Sequence, residues 1–567
     1  MALAILAAST LLFLALAYRF YGRLIARQFR LDDTGQTPAV RINDGVDFVP
    51  AKPFYLLGQH FSAIAAAGPI AGPILACQQF GWLPCLLWIG LGVVFIGAVH
   101  DFSALITSVR HGALSVAEIV RQNIGRSAYL ALMAFIWLDL VYVIVAFTDI
   151  TAATFVGRIE ELEGVVVGFE RGGAVAAAST LYLLLAILMG FAQKWKRFPL
   201  WLLTLIFVPA TLAAVWQGTQ LSTLFLFPHA TWALIILAYC FIASLLPVWS
   251  LLQPRGYLGG FILYLALAIG IIGIFFGGFD ISQSAFKTWN APGATGSLFP
   301  FLFVTIACGA CSGFHGLVCS GTTSKQISRE GHCRPIGYGA MLLEAFVGLI
   351  ALATIMIIPQ GEVTGSPGAI YGAGLGRFLT LLIGKEHLIF AITFGAMAFS
   401  TFVFDTLDVA TRLGRYFLQE LIGSRSFLSG MVATTLTVGL PAFFILSAKE
   451  GSWTSFWILF GTSNQLLAGL TLLAITVWLR RSGRRFWFTL YPMLFVMGIT
   501  FWSLAKQILG GIDGSLAVTI NAVAGMLLLL LALFVIYEAL KKLRTPGSPV
   551  IPTPRPGPGS LHSPVRR

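Results

Sequence analysis

The sequence predicts an all-α polytopic membrane protein with about 15 transmembrane helices. Three observations carry that expectation: an excess of apolar residues, apolar stretches of spanning length along the whole chain, and basic residues gathered in every second loop. Of 567 residues, 57% are hydrophobic and only 10% charged, with a mean hydropathy of +0.86. That is more apolar surface than one water-soluble core can bury, so lipid is the solvent. Sixty glycines and 46 phenylalanines suit closely packed helices with a lipid-facing surface. The net charge of +13 lies in short clusters between apolar stretches. It does not follow one amphipathic face with interleaved aromatics, which speaks against nucleic acid and for anionic lipid headgroups. Seven cysteines are too few for a disulfide scaffold in a chain this long, and they read as reduced thiols.

The first apolar stretch, Leu3 to Tyr18, has no basic residue before it and no small-residue cleavage site before Arg19, so it reads as a retained helix. The spans lie near 2–20, 59–81, 82–108, 127–155, 174–192, 198–217, 232–252, 258–278, 298–325, 335–358, 388–415, 428–447, 453–479, 487–508 and 515–540. Each is long enough to cross ~30 Å of hydrocarbon. Positive residues stay cytoplasmic in short loops. Arg19 to Arg41, Arg110 to Arg126, Lys194 to Arg197, Arg255, Lys325 to Arg334, Arg412 to Arg425, Arg480 to Arg485 and Lys541 to Arg544 all fall on one side in this count, while Glu160, Glu161, Glu163 and Glu170 fall on the other. The N-terminus is then outside and the C-terminus cytoplasmic. Residues 545–567 are too rich in proline and glycine to pack and read as a disordered cytoplasmic tail.

A spanning helix that contains Gly-Pro loses backbone hydrogen bonds, which is tolerated only where protein or a water-filled cavity satisfies the freed groups. The second span carries two such pairs, Gly68-Pro69 and Gly72-Pro73, and five spans later Ser244 and Pro247 interrupt the seventh. An offset of five spans reverses orientation, as in an inverted repeat of five helices. The half-helix N-termini would offer N–H groups to an anionic substrate, so these six residues are the expected substrate-binding positions. His315 joins them from the ninth span, where Cys308, Cys311, His315 and Cys319 share one helical face. Four ligands on one straight helix cannot surround a tetrahedral ion, so no metal is expected there. The hydroxyls of Ser320, Thr322 and Thr323 suit a cation site at a broken helix, and Lys325 reads as an interfacial charge.

Ionisable residues inside spans are costly and mark function by default. His60, Asp101, Asp139 and Asp149 join Ser320, Thr322 and Thr323 as expected ion-coupling residues, the ion being H+ or Na+. His100 stands beside Asp101, and Glu344 lies in the tenth span. Asp139, Tyr142 and Asp149 fall roughly on one face of the fourth span. Asp405, Asp408 and Arg412 share a face of the eleventh and read as an intrahelical Asp–Arg pair. No phosphate-binding loop, zincin motif or nucleophile elbow is present, so the chain reads as a secondary transporter rather than an enzyme or an ATP-driven pump. No cofactor beyond the coupling ion is expected.

At these residues the sequence resembles the carbon starvation protein A family of bacterial transporters. The likeness runs through Asp44 to Pro50, Gly58 to Pro73, His100 to Phe102, Ala238 to Trp249, Gln253 to Arg255, Cys311 to His315, Ser320 to Gln326, Thr411 to Arg415 and Phe460 to Gln465. It implies membership of the amino acid–polyamine–organocation superfamily and the LeuT-like five-plus-five inverted-repeat core of sodium-coupled amino-acid carriers. In that frame the chain divides into an extra helix and basic loop at 1–58, a first repeat at 59–217, a second at 218–425, further helices at 426–544 and the tail at 545–567. The ninth span becomes the eighth core helix, which supplies hydroxyls to a cation site in sodium-coupled relatives. The resemblance also implies import of short peptides or pyruvate with protons, during carbon starvation, by alternating access in the bacterial inner membrane. The partners are then a small-molecule substrate and the bilayer. Sodium coupling, or a non-concentrating metabolite sensor or channel, are the competing readings.

Overall fold

A computed structural model describes residues 2–45, 48–65, 67–156, 169–196, 198–247, 249–291, 296–363, 365–424, 426–447, 453–511 and 516–544. The disordered tail expected at 545–567 and the acidic loop residues Glu160 to Glu163 lie outside them. The chain opens with α1 (Ala2–Arg19), α2 (Tyr21–Phe29) and the short α3 (Pro38–Ile42), then α4 (Pro53–Ile64), α5 (Gly68–Phe80), α6 (Trp82–Gly92), α7 (Ala98–Arg110) and α8 (Val116–Asn123). It continues with α9 (Arg126–Val156), α10 (Arg171–Lys196), α11 (Leu200–Gln220), α12 (His229–Leu245), α13 (Leu252–Phe276), α14 (Leu298–Thr305) and α15 (Gly313–Gly321). The last helices are α16 (Ala340–Met356), α17 (Pro367–Ile383), α18 (Leu388–Ile422), α19 (Phe427–Ser447), α20 (Trp453–Arg481), α21 (Trp487–Gly510) and α22 (Leu516–Arg544). No β-strand occurs among the described residues, only an isolated bridge between Asn290 and Ser297.

Among the described residues, twelve helices are long and apolar enough to cross a membrane, or 13 when α4 and α5, bent by 45° at their break, are taken as one span. The expected count of about 15 differs for local reasons. The stretch read as one span at 298–325 is two helices of 8 and 9 residues. The seventh expected span is cut to the 17 residues of α12, because Pro247 cannot continue the helix. Besides the short α2, α3 and α8, a 17-residue helix went unforeseen: α17 holds Gly368, Gly372, Gly374 and Gly376, whose low hydrophobicity hides it in an apolar count. Those glycines explain its packing. A Cβ on Gly368 would meet Phe399, one on Gly372 would meet Ala396, and one on Gly376 would meet Ile392, so α17 lies backbone-close and antiparallel against the first half of α18.

The two longest helices, α9 and α18, pack together at the centre. Two single turns of π-helix, at Val93–Gly97 and Arg334–Gly339, precede α7 and α16 and touch through the Tyr338 hydroxyl on the Val94 carbonyl at 3.0 Å. Basic loops converge on one face. Arg110 pairs with Glu330 at 2.8 Å and reaches the Arg30 carbonyl; Arg481 donates to the Asn123 carbonyl and Arg484 to that of Phe29. Exposed apolar side chains such as Trp201, Leu205, Phe427 and Leu428 lie on the outer helices, where lipid covers them.

Two expectations about charge are corrected. Arg255 was read as a loop cation, but it is fully buried, its guanidinium 2.6 Å from Asp405 and 3.1 Å from Asp408. Asp405 and Asp408 therefore pair with α13 rather than with Arg412 on their own helix. Arg412 instead donates to the Ala243 and Leu246 carbonyls at 2.8 and 2.9 Å. The reason is demand: carbonyls freed where α12 ends require donors, and an arginine one helix away supplies them.

Candidate functional site

Two helices are broken inside the bundle, and their breaks meet. α4 ends at Ile64 and α5 starts at Gly68; α14 ends at Thr305 and α15 starts at Gly313. Proline removes N–H donors at Pro69 and Pro73, so the chain there cannot run as one regular helix. Glycines set the crossing distance. A Cβ on Gly68 would collide with the Cys308 side chain, one on Gly72 would lie 2.6 Å from the Thr305 carbonyl, and one on Gly97 would collide with the Ala310 carbonyl. Cβ-free backbone on α5 and beside α7 thus lets the non-helical 306–312 segment pass between them.

The polar groups freed at the two ends of that segment are satisfied by α20. Trp457 Nε1 donates to the Thr305 carbonyl at 3.0 Å and Gln465 Nε2 to the Phe303 carbonyl at 2.9 Å. Asn464 Oδ1 accepts from the Phe314 N–H at 2.9 Å and from Ser312 Oγ at 3.3 Å, while its Nδ2 faces Cys308 Sγ at 3.2 Å. Within Phe460 to Gln465 the sequence carries a signal for this role: four consecutive polar residues, Thr462, Ser463, Asn464 and Gln465, at mid-length in an apolar span.

A buried polar cluster lies against the crossing. Asp101 Oδ1 is 2.7 Å from His100 Nδ1, and Asp101 Oδ2 is 3.0 Å from His315 Nδ1. The far nitrogen of His315 is 3.4 Å from Glu344 Oε2. One imidazole on α15 therefore bridges carboxylates on α7 and α16. His60, on the last turns of α4, points Nδ1 at Thr323 Oγ1 (2.9 Å) and Nε2 at Cys319 Sγ (3.9 Å). His60, His100, Asp101, His315, Thr323 and Glu344 are each at most 2% exposed. Local structure aims them: the π-turn at Val93–Gly97 comes just before His100 and Asp101, the one at Arg334–Gly339 just before Glu344, and the helix breaks flank His60 and His315. Each irregularity re-registers the side chains that follow it. His60, Asp101 and Cys319 place an imidazole nitrogen, a carboxylate oxygen and a thiol within 4.8 Å of one another.

The other expected site residues lie elsewhere. Cys308 and Cys311 precede α15, so they do not share a helical face with His315 and Cys319. Ser320 Oγ takes the Val116 N–H at 3.1 Å and donates to the Gly316 carbonyl; Thr322 donates to the Val318 carbonyl. Asp139 accepts from Ser463 on α20, Tyr142 donates to Asn521 on α22, and Asp149 pairs with His229 on α12, so one helical face serves three different neighbours. Ser244 is buried beside the α12 end, and Pro247 sits between the carbonyls that Arg412 caps and Ser250, which donates to the Pro247 carbonyl. The helix that carries Ser244 packs mainly on α9, α18 and α19.

A bundle of membrane-spanning helices with two crossing breaks and a buried set of carboxylates and imidazoles defines an integral membrane protein built around an intramembrane polar centre. The comparisons with known proteins narrow this. The profile of the family described as "Carbon starvation protein CstA" matches residues 1–373 and 362–503, and the chain belongs to that family. It is 33% identical to the "Peptide transporter CstA" of Escherichia coli K12, covering 88% of this chain and 80% of the relative. It is 31% identical to the "Pyruvate/proton symporter BtsT" of the same organism, covering 89% and 82%. Among solved structures, a manganese transporter from Eremococcus coleocola aligns with a TM-score of 0.45 at 15% identity, covering 86% of this chain and 95% of that one.

Proposed function

We propose that the chain is a secondary transporter of the bacterial plasma membrane that imports short peptides or pyruvate with protons, by alternating access around the crossing of α4/α5 and α14/α15. The observation that carries this reading is the His315 ring between two buried carboxylates, 3.0 Å from Asp101 and 3.4 Å from Glu344. With both carboxylates ionised and the imidazole protonated, the triad carries a net negative charge; one further proton neutralises it. A buried group that is neutral in only one protonation state ties helix movement to proton uptake, since moving an unpaired charge through an apolar interior is costly. The titratable groups facing the triad include His60 on α4, His100 on α7, Cys319 on α15, and Cys308 and Cys311 of the segment before α15. Relatives named as a peptide transporter and as a pyruvate/proton symporter support both substrate classes.

An inverted-repeat core underlies the mechanism, with its halves starting at α4 and at α14 rather than at residues 59 and 218. Four correspondences support that division: both halves open on a broken helix, continue through a helix with a π-turn (Val93–Gly97 and Arg334–Gly339), and reach a long helix (α9 and α18), and the broken helix of each half packs on the second helix of the other. The N-terminus of α5 meets the break that leads into α15, Gly68 against Cys308 and Pro69 against Gly309, so Gly68, Pro69, Gly72 and Pro73 with His315 frame a site for a substrate carboxylate. The convergence of Arg30, Arg110, Arg481 and Arg484 on one face supports a cytoplasmic location for that face.

The test is uptake of labelled pyruvate and of di- and tripeptides into proteoliposomes with an imposed pH gradient, an imposed sodium gradient, or neither. Gradient-driven accumulation with protons alone is expected. Accumulation that needs sodium and ignores pH would overturn the coupling assignment, and no accumulation of any of these solutes would overturn the substrate class.

A further inference from the structure

The lipid-facing side of the molecule has a groove of about 360 Å³ between α1, α4 and α16, lined by Leu11, Ala15, Tyr18, Leu57, Leu343 and Phe346. Its lining is apolar, and a charge stands beside one end. Pro335 and Gly339 form that end, and Arg334 stacks its guanidinium over the Tyr18 ring at 4.5 Å. Arg334 Nε is buried and has no hydrogen-bond partner. Arg19 and Arg23, both exposed, follow Tyr18 on the same α1–α2 arm, and Gly22 of that arm rests against the Tyr338 ring. The groove is therefore amphipathic lengthwise: apolar along the two turns of α1 from Leu11 to Tyr18, with arginines beyond its Tyr18 end.

We infer that this groove is a binding site for one anionic phospholipid, an acyl chain lying along Ala15, Leu57 and Leu343 and the phosphate headgroup received by Arg334 with Arg19 and Arg23. Charge complementarity chooses the occupant. A zwitterionic lipid fills the apolar part equally well but brings a choline or ethanolamine cation to three arginines, whereas basic pockets between spanning helices at a membrane face select anionic headgroups. A second copy of the chain would have to present an acidic group there. Arg334 belongs to the π-turn that leads into α16, and Leu57 lies one turn before His60 on α4. A bound lipid thus bridges α1 to two helices of the intramembrane cluster.

The experiment uses the full chain in nanodiscs of pure phosphatidylcholine and of phosphatidylcholine with phosphatidylglycerol, and it reads thermal stability and lipid retained in native mass spectrometry. Neither readout depends on substrate, so it fails or succeeds independently of the transport reading. Phosphatidylglycerol is expected to raise the apparent Tm by about 3 °C or more and to remain as one retained lipid. Arg334→Gln should abolish both effects, as should Leu343→Trp, which fills the groove at a position already 43% exposed and so spares the fold. Equal shifts in wild type and both variants, equal shifts from the two lipids, the same shift from inorganic phosphate alone, or a dimer in place of the retained lipid would each overturn the inference.

Discussion

The α4/α5 and α12/α13 junctions are alike in sequence, each a proline-bearing interruption of an apolar run, yet they are used in opposite ways. At the first, Gly68 and Gly72 admit the backbone of a second broken segment, and three imidazoles and two carboxylates lie beside the crossing. At the second, Arg412 fills the Ala243 and Leu246 carbonyls, and Arg255 is locked between Asp405 and Asp408, with Tyr239 donating to Asp408 at 2.9 Å and Tyr182 to the Arg255 carbonyl at 2.7 Å. The lesson concerns what surrounds a break. A break capped by a neighbouring arginine beside a closed ion-pair cluster is structure; a break that meets another break, with titratable groups around both, has the means to change state.

If that division holds, substitutions at the two junctions separate coupling from stability. The largest effect is expected from Asp101→Asn and Glu344→Gln, which each remove one carboxylate from the His315 bridge. Accumulation driven by a pH gradient should fall by roughly 10²-fold or more, while exchange of substrate across proteoliposomes without a gradient persists. Loss of exchange in step with accumulation would mean that these carboxylates only hold the fold.

Much of this centre was legible residue by residue, and little of it as a constellation. His60, Asp101 and His315 stood out because an ionisable side chain within an apolar span needs a reason, and that argument is local. Their meeting depends on contacts such as His60 with Thr323, 263 positions apart, which no helical period encodes. The first break was readable from two Gly-Pro pairs, but its neighbour was not, because the 306–312 segment has no proline and its irregularity arises from tertiary donors on α20. Arg255 was misjudged for a related reason: beside Pro254 and a break it looks like a loop cation, and only the carboxylates of α18 make its burial affordable.

A second, smaller effect tests the crossing itself. Gly68→Ala sets a methyl group against the Cys308 side chain, and overpacking of that kind costs about 1–3 kcal/mol. Cys308→Gly in the same chain should restore most of the stability, measured as thermal denaturation in detergent, because it removes the group that the new methyl meets. An additive double mutant would show that the two backbones do not approach as closely as described.

At the α12/α13 junction the expected signature is reversed. Arg412→Ala should lower stability by about 1–2 kcal/mol, since two carbonyls lose a charged donor while lipid-embedded helices find partial replacements. The ratio of gradient-driven to exchange transport should stay as in wild type; a change in that ratio would move this junction into the coupling machinery.

The smallest effect belongs to the far end of α9. His229 and Asp149 form a 2.9 Å pair with only 17% and 6% of their side chains exposed, so what matters there is that the buried carboxylate keeps a hydrogen-bond donor. His229→Gln keeps a hydrogen-bond donor in place and removes the titratable ring, so stability and the pH dependence of uptake should both match wild type. Asp149 was among the carboxylates expected to couple ions, which makes this near-silent variant informative. If uptake in His229→Gln instead lost its dependence on the pH gradient, the proton path would have to extend beyond Asp101, His315 and Glu344 to the α9–α12 contact, and the separation between a working break and a sealed one would no longer describe the molecule.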